Sequence, residues 1–564
     1  MASEIGAADK ALAHEGNFGM TVQEYDYIII GGGTAGCTLA ARLTEASSSV
    51  LLLEAGPSRT GMLDSWKIDM PAAVDYAYLN PKYNWLYPGE PEPTLHGRQI
   101  LQPRGKILGG SSSINGLVYL RGHALDFQRW EREGAWGWSW KEVLPYFKRA
   151  ESWEGGESLY RGGSGPVGVR TGLQGCELYA RFMQAGSQAG YPMSPDINSE
   201  QQEGFAVSQM NVRDGVRASM ARAYIQPNKH RPNLTILDRS TVRELVLDGN
   251  CASGVRYHRD GTDVQATARR EVILAAGAVA SPQLLMLSGV GPASHLEEFG
   301  IRCRVNLPGV GQNLQNHPLI YQKFTIDKPV SLNSYMRPDK MAYVGARWML
   351  TGGGLGSTNT FESLALVRSD GAVSHPDVLM HFIPVLMNAD NKIIHDVHGF
   401  ALAIGAARMS AAGWVKLRSA NPFDKPRILS NFMATDNDIS ILRKSIEIAR
   451  EVASQQAFRN LDAKEVEPGP AVKSAAEIDD YLRGTVAGDY HLSCTCAMGN
   501  GEMAVVDHEL KVHGIESLRV VDASVMPSIV SANTNATTNM IAEKASDIIL
   551  GRPALPPVSV TLPG

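Results

Sequence analysis

Residues 25–56 read YDYIIIGGGTAGCTLAARLTEASSSVLLLEAG, and no other stretch constrains the fold as tightly. The β-branched residues Ile28, Ile29 and Ile30 enter a glycine turn, Gly31-x-Gly33-x-x-Gly36. An apolar helical segment follows, and a second strand over 50–53 ends on Glu54. Gly31 permits the tight turn, Gly33 lets the backbone approach a pyrophosphate, and Gly36 lets the helix pack on the strand. The helix N-terminus then turns its free N–H groups toward phosphate. Glu54 stands 18 residues beyond Gly36, where a carboxylate accepts hydrogen bonds from the ribose hydroxyls of an adenosine. Strand, glycines, helix, strand and terminal acid in this order specify a dinucleotide site far better than a bare glycine triplet does. The pattern predicts an α/β domain and does not separate FAD from NAD.

A chain of 564 residues is too long for one ordinary core, so two closely joined domains are expected. Its 44% hydrophobic and 20% charged content is that of a globular enzyme, and a net charge of −5 argues against a nucleic-acid partner. No apolar stretch approaches the ~18 residues that would predict a membrane span. Residues 1–24 lack a basic segment followed by an apolar core and read as a flexible leader, not a secretory signal. Six scattered cysteines suit free thiols in a reducing compartment, and Cys494-Thr495-Cys496 lacks the companion pair a zinc site needs; no metal is expected. A cytoplasmic location is the simplest expectation, compatible with peripheral contact at the inner membrane.

A second glycine block, RGKILGGSSSIN at 104–115, brings backbone N–H groups close to something flat or anionic. Residues 130–149 read as aromatic-rich helical surface. Residues 271–291 read as a buried strand, a small-residue turn and an apolar helix capped by Gly289, and 308–318 as a tight loop. Between about 330 and 484, strand-like runs (378–385, 399–404, 414–417) alternate with polar helices (436–454, 475–482), a pattern for an antiparallel sheet with helices on one face. The tail returns to the first domain's vocabulary with an apolar strand at 518–522 ending in an acid and a helix at 537–550. The expected class is therefore α/β: a discontinuous Rossmann-like domain over 25–165, 212–325 and 485–555, an α+β substrate domain over 166–211 and 326–484, and a tail over 556–564.

The chain resembles the glucose–methanol–choline oxidoreductases, FAD-dependent alcohol oxidases and dehydrogenases. The resemblance rests on GKILGGSSSIN at 105–115 continuing to Gly122, on GAVASP at 277–282 continuing to SGVG at 288–291, and on YHLSCTCAMG at 490–499 followed by VVDASVMP at 520–527. It spans about 25–552. The texture is closest to bacterial choline-oxidising and medium-chain alcohol-oxidising members; NATT at 535–538 and GRPALP at 551–556 are like the former. The resemblance implies FAD, with adenosine and pyrophosphate on Gly31, Gly33, Gly36 and Glu54. It further implies the flavin along Gly109, Gly110, Ser111 and Asn115, with Asp522 and Ala523 toward the pyrophosphate and ribityl chain. Some relatives bind FAD covalently through a histidine; the matching position is Ile114, so non-covalent FAD is expected.

By the same resemblance His491 is the catalytic histidine, and Asn533 fills the second catalytic position, which is His or Asn. A neutral imidazole suits removal of a hydroxyl proton, whereas an amide exchanges no proton at neutral pH, so His491 is the base and Asn533 holds the substrate oxygen. Candidate substrate contacts are Leu319, Phe361, Glu362, His381 and Tyr490, with His317 a weaker candidate. Choline-oxidising members carry an acid where this chain has Leu319, and an aspartate where it has Asn316. Without a counter-charge a desolvated trimethylammonium is poorly held, which favours a neutral primary alcohol, aryl or aliphatic, with oxygen or quinone as acceptor. Choline is the alternative, Glu362 then supplying the charge. Two further alternatives are a light-driven fatty-acid decarboxylase, against which His491 and Asn533 argue, and a non-catalytic flavoprotein.

Overall fold

The computed structural model describes residues 23–58, 61, 64–388 and 392–560. The leader expected over 1–24 lies outside this range except for Gln23 and Glu24, which open the first strand. Residues 561–564 of the expected tail lie outside it as well.

Two seven-stranded sheets organise the molecule. In the first, Leu234–Leu237, Val50–Leu53, Gln23–Ile30, Thr262–Leu274 and Leu518–Val520 run parallel in that spatial order. Val50, Leu51, Leu52 and Leu53 are buried throughout, as expected of strands covered by helices on both faces. The long strand Thr262–Leu274 has a second partner along its N-terminal half, the antiparallel strand Cys251–Arg259, which pairs in turn with Thr241–Asp248. The turn between them is Asp260-Gly261, both at positive φ (49° and 82°), the backbone a two-residue hairpin with right-handed twist requires.

The helix Thr34–Glu45 follows the glycine turn and packs along Thr534–Ile549 from the far end of the chain. Thr34 Oγ1 and Thr38 Oγ1 donate to Asn535 Oδ1 and Asn539 Oδ1, each at 2.7 Å. One turn further, the fully buried Glu543 carboxylate is held by Arg42 at 2.9 Å, Arg149 at 2.7 Å and the Tyr224 hydroxyl at 2.6 Å. Three partners are what a buried carboxylate needs to offset its desolvation. The aromatic segment expected as surface forms the helices Ala124–Arg132 and Trp140–Ala150, whose Trp130, Trp140, Tyr146 and Phe147 are buried in the first core.

The second sheet is antiparallel throughout, in the order Lys464–Glu467, Pro318–Thr325, Gly399–Ala406, Val378–Ile383, Ser363–Val367 and Gly204–Val207. The helices Glu177–Gln188 and Asp436–Ala453 share its core, with Phe182, Leu442 and Ile446 packing among Phe382, Phe400 and Phe458. This is the α+β layer the alternation of strand-like and helical runs predicted, apart from Trp414–Lys416, which pairs only with Arg427–Leu429. Pro318–Thr325, expected in the cofactor domain, is a central strand of this second sheet, and Ala487–Gly488 extends it by pairing with Pro318 and Leu319. The chain therefore crosses between layers at the loop preceding Pro318 and returns at residue 489, and these crossings meet at the site.

Candidate active site

A cavity of about 540 Å³ runs between the two sheets, from the glycine turn to the face of the antiparallel sheet. At its first end Gly31 adopts φ +102°, and a Cβ there would lie 2.5 Å from the Ala275 carbonyl oxygen, so only glycine fits. Gly36 is equally closed: its Cβ would meet the Gly31 oxygen at 1.9 Å. Gly33 differs, because a Cβ would find only the Ala275 oxygen, at 3.9 Å, and would otherwise project into the cavity. Gly31 and Gly36 thus shape the turn and the helix packing, while Gly33 keeps its backbone approachable by a ligand. Glu54 closes this end, its two carboxylate oxygens accepting from Gly32 N at 2.9 Å and Gly56 N at 2.7 Å. Burial pushes this carboxyl up to about 7, against the pull of those two hydrogen bonds.

The second glycine block forms the opposite wall. Gly109 and Gly110 both take positive φ, and Gly109 N donates to Gly32 O at 2.6 Å, tying the block to the first turn. Gly110, Ser111, Ile114 and Asn115 line the cavity, whereas Gly109 and Gly36 stand behind it as packing glycines. Ser111 Oγ accepts from Gly105 N at 3.1 Å, and Asn115 Oδ1 accepts from Arg217 at 2.9 Å, fixing both side chains. Asp522 and Ala523 also line it. The Asp522 carboxylate accepts from Gly277 N (2.8 Å), Ser281 Oγ (2.6 Å) and Ser524 N (2.8 Å), and so orients the N-terminus of the helix Gly277–Leu287 toward the cavity. Two helix N-termini, an open Gly33 and a buried ribose-type acid fit an extended dinucleotide.

At the far end His491 is buried beside the cavity. Its Nε2 lies 3.1 Å from Asn533 Nδ2, and Asn533 Oδ1 is buried with no partner among the described residues. An amide N–H donating to Nε2 leaves that nitrogen unprotonated, so the ring proton sits on Nδ1, which faces His317 Nδ1 at 2.9 Å. Burial drives the His491 imidazole well below the ordinary histidine range, and His317, Arg104 and His381 push in the same direction. His491 is thereby kept neutral and ready to accept a proton. Asn316 Oδ1 accepts from His491 N at 2.7 Å, so the loop before Pro318 clamps the backbone as well as the ring.

Leu319, Phe361, His381 and Tyr490 line the cavity as expected of substrate contacts, and sheet register explains two of them. Tyr321 pairs with Ala403 and His381 pairs with Ala403, and these three share the cavity-facing side of the sheet with Leu319. Burial holds His381 near 4, a neutral ring with Nδ1 unpartnered. Glu362 does not line the cavity. Its carboxylate points the other way, accepting from Thr358 Oγ1 and, at 3.4 Å, from Gly175 N, because Phe361 precedes it and takes the inward position. Sequence reasoning missed Asp75, Tyr78, Arg104, Tyr321 and Asp489, all of which line the cavity. Arg104 donates to the Tyr490 carbonyl and Tyr78 to the Tyr490 hydroxyl, which pins Tyr490 at φ +61° beside the His491 imidazole. Arg104 was within view, since it opens the second glycine block; the others carry no local signal.

Family models described as GMC oxidoreductase match residues 25–319 and 410–542. The chain belongs to the GMC oxidoreductase family. It is similar to mitochondrial choline dehydrogenase of Mus musculus, 45% identical over 94% of this chain and 90% of the relative. It is likewise similar to the oxygen-dependent choline dehydrogenase of Vibrio vulnificus (strain YJ016), 44% identical over 95% of this chain and 96% of the relative. Among solved structures, pyridoxine 4-oxidase from Mesorbium loti superimposes with a TM-score of 0.84 at 30% identity, covering 93% of this chain and 98% of that one. A variant of Aspergillus oryzae RIB40 formate oxidase gives 0.87 at 26%, covering 94% and 98%. The protein is an FAD-dependent oxidoreductase acting on CH–OH donors, and the cradle of Gly33, Glu54, Gly110 and Asp522 fits that cofactor.

Proposed function

We propose that this protein oxidises a neutral primary alcohol to its aldehyde, with His491 as base and Asn533 holding the substrate oxygen. The observation that carries the reading is the pairing of an unprotonated, desolvated His491 Nε2 with the orphaned Asn533 amide at the cavity wall. The hydroxyl proton passes to Nε2, and the α-hydrogen is turned by Asn533 toward the flavin side of the cavity; bound FAD supplies a two-electron hydride acceptor. Leu319, Phe361 and neutral His381 give the substrate's carbon skeleton an apolar seat. Anaerobic stopped-flow bleaching of the flavin with benzyl alcohol, medium-chain alcohols and choline tests this: fastest reduction by a neutral alcohol supports it, and reduction by none refutes it.

Choline is a second reading, favoured by the relatives' names and by the carboxylates of Asp75 and Asp489 among Tyr78, Tyr321 and Tyr490 in the cavity. Fastest bleaching by choline in the same panel selects it. Non-covalent attachment of FAD is supported by Ile114, which lines the cavity without a nucleophilic atom, and is tested by release of flavin on acid denaturation. The division into a discontinuous cofactor domain and a substrate domain is supported by the two sheets, with Pro318–Thr325 reassigned to the second.

No helix among the described residues is long and apolar enough to cross a membrane. A cytoplasmic location and a quinone acceptor are part of the same reading as peripheral membrane contact, which is supported by the helix Pro338–Thr351. It buries none of its residues and exposes Tyr343, Met349 and Leu350 beside Lys340 and Arg347. Co-sedimentation with anionic vesicles tests the contact, and peroxide formation in air separates oxygen from quinone as acceptor.

A further inference from the structure

The ladder between Pro318–Thr325 and Ala487–Gly488 pairs Pro318 with Gly488 and Leu319 with Ala487. One residue beyond it, Asp489 N donates to His317 O at 2.8 Å, so Asp489 stands opposite His317 and on the same side of the ladder. Its carboxylate lines the cavity, and Oδ2 lies 3.4 Å from His491 Nδ1. The side chain makes no other ion pair or hydrogen bond among the described residues. Burial alone raises it to about 7, with no cation to bring it down.

His491 needs such a group. The elements packed around it contribute His317 from the loop before Pro318, His381 from Val378–Ile383, Arg104 from the second glycine block and Asn533 from the start of the last helix. The three titratable ones oppose a positive charge on the imidazole, and Asn533 carries none. Around Asp489 itself stand Tyr490 and Tyr321, with Asp75 acting on Tyr321 from the other side. Among the described residues Asp489 is the only carboxylate within ion-pair distance of His491.

We propose that Asp489 is a positioning residue that holds the charge His491 acquires on taking the alcohol proton. The inference rests on His491 being the base. In the step, the substrate O–H bond breaks and an Nε2–H bond forms; the imidazolium's Nδ1–H stays directed at His317, and the ionised Asp489 carboxylate, 3.4 Å from Nδ1, offsets the new positive charge. The electron pair of the O–H bond stays on the substrate oxygen, and no other reactant is consumed. Because the carboxylate must be ionised to act, the rate falls as pH drops through the region where burial has placed this acid.

The experiment is anaerobic flavin reduction by a saturating alcohol from pH 5.5 to 9 in the FAD-loaded enzyme. Asp489→Asn is expected to slow reduction about 10- to 100-fold, the loss of one desolvated counter-charge beside the imidazolium. It also abolishes the fall near pH 7 and raises the solvent deuterium isotope effect, since O–H cleavage becomes limiting. Asp489→Glu restores the pH limb, and Asp489→Ser stands in for Asn if that variant loses its flavin. An unchanged rate and pH profile in the Asn or Ser variant overturns the proposal, as does an effect confined to the KM of cationic alcohols, which makes Asp489 a reader of substrate charge. If His491→Ala reduces as fast as wild type, the base assignment itself fails, a separate outcome.

Discussion

The Nδ1 atoms of His317 and His491 face each other at 2.9 Å with their ring planes 81° apart. Only one proton fits between them, and the Asn533 amide at 3.1 Å from Nε2 requires it on the His491 side. A single tautomer is thereby imposed on His491, with its Nε2 lone pair facing the Asn533 amide at the cavity wall. Replacing His491 by Ala should slow flavin reduction by about 10²- to 10⁴-fold, the ordinary contribution of a general base. The 450 nm absorbance of bound FAD should persist, because the ring touches none of the glycine cradle.

Gly33 and Gly36 separate cofactor binding from folding. A Cβ at Gly36 collides with the Gly31 carbonyl at 1.9 Å, so Gly36→Ala should cost about 3 kcal/mol or more and give little soluble protein. A Cβ at Gly33 meets nothing nearer than 3.9 Å, and its φ of −79° suits any residue. Gly33→Ala should therefore fold and melt like the flavin-free parent while showing a lowered ratio of 450 to 280 nm absorbance.

Leu319 tests the charge selectivity of the cavity. Leu319→Glu places a carboxylate on the cavity-facing side of the sheet beside Tyr321. The ratio of kcat/KM for choline over benzyl alcohol should rise by about 10-fold or more, the scale of a desolvated cation gaining a counter-charge. A ratio that stays put would remove residue 319 from the substrate's reach.

Burial raises Glu54 to about 7 in the folded, flavin-free protein, above its unfolded value. The folded state therefore holds that proton more tightly. Its stabilising contribution is fully present below pH ~4.5 and is lost as pH rises through 7. Differential scanning fluorimetry of flavin-free protein should show a smaller fall in Tm between pH 5 and 8 for Glu54→Gln than for the parent.

What was legible in the sequence is what depends on neighbours in the chain. The cradle from Gly31 to Glu54 is one strand–turn–helix–strand unit, in which Gly36 packs on Gly31 within the unit itself, although Gly31 is also closed off by the distant Ala275 carbonyl. That His491 and Asn533 stand together was legible only through the motifs that surround them, and the two side chains do meet at the cavity wall. Pro318–Thr325 was misplaced because strand pairing is long-range: nothing in its residues announces Gly399–Ala406 as partner. Glu362 looked like a cavity acid, yet it lies just before the strand Ser363–Val367 and is held by Thr358 and Gly175, while Phe361 takes the place at the cavity. Asp489 lies two residues from His491, but its placement depends on a ladder 170 residues upstream, Pro318 opposite Gly488.

The clasp between Thr34–Glu45 and Thr534–Ile549 carries a consequence for biosynthesis. The glycine turn is synthesised well before His491, Asn533 and the strand Leu518–Val520 that closes the parallel sheet. Until that strand and its following helix are made, the turn borders an open-sided groove that lacks its last parallel strand and its partner helix. A cofactor cradle built from both ends of one polypeptide is complete only when both are present.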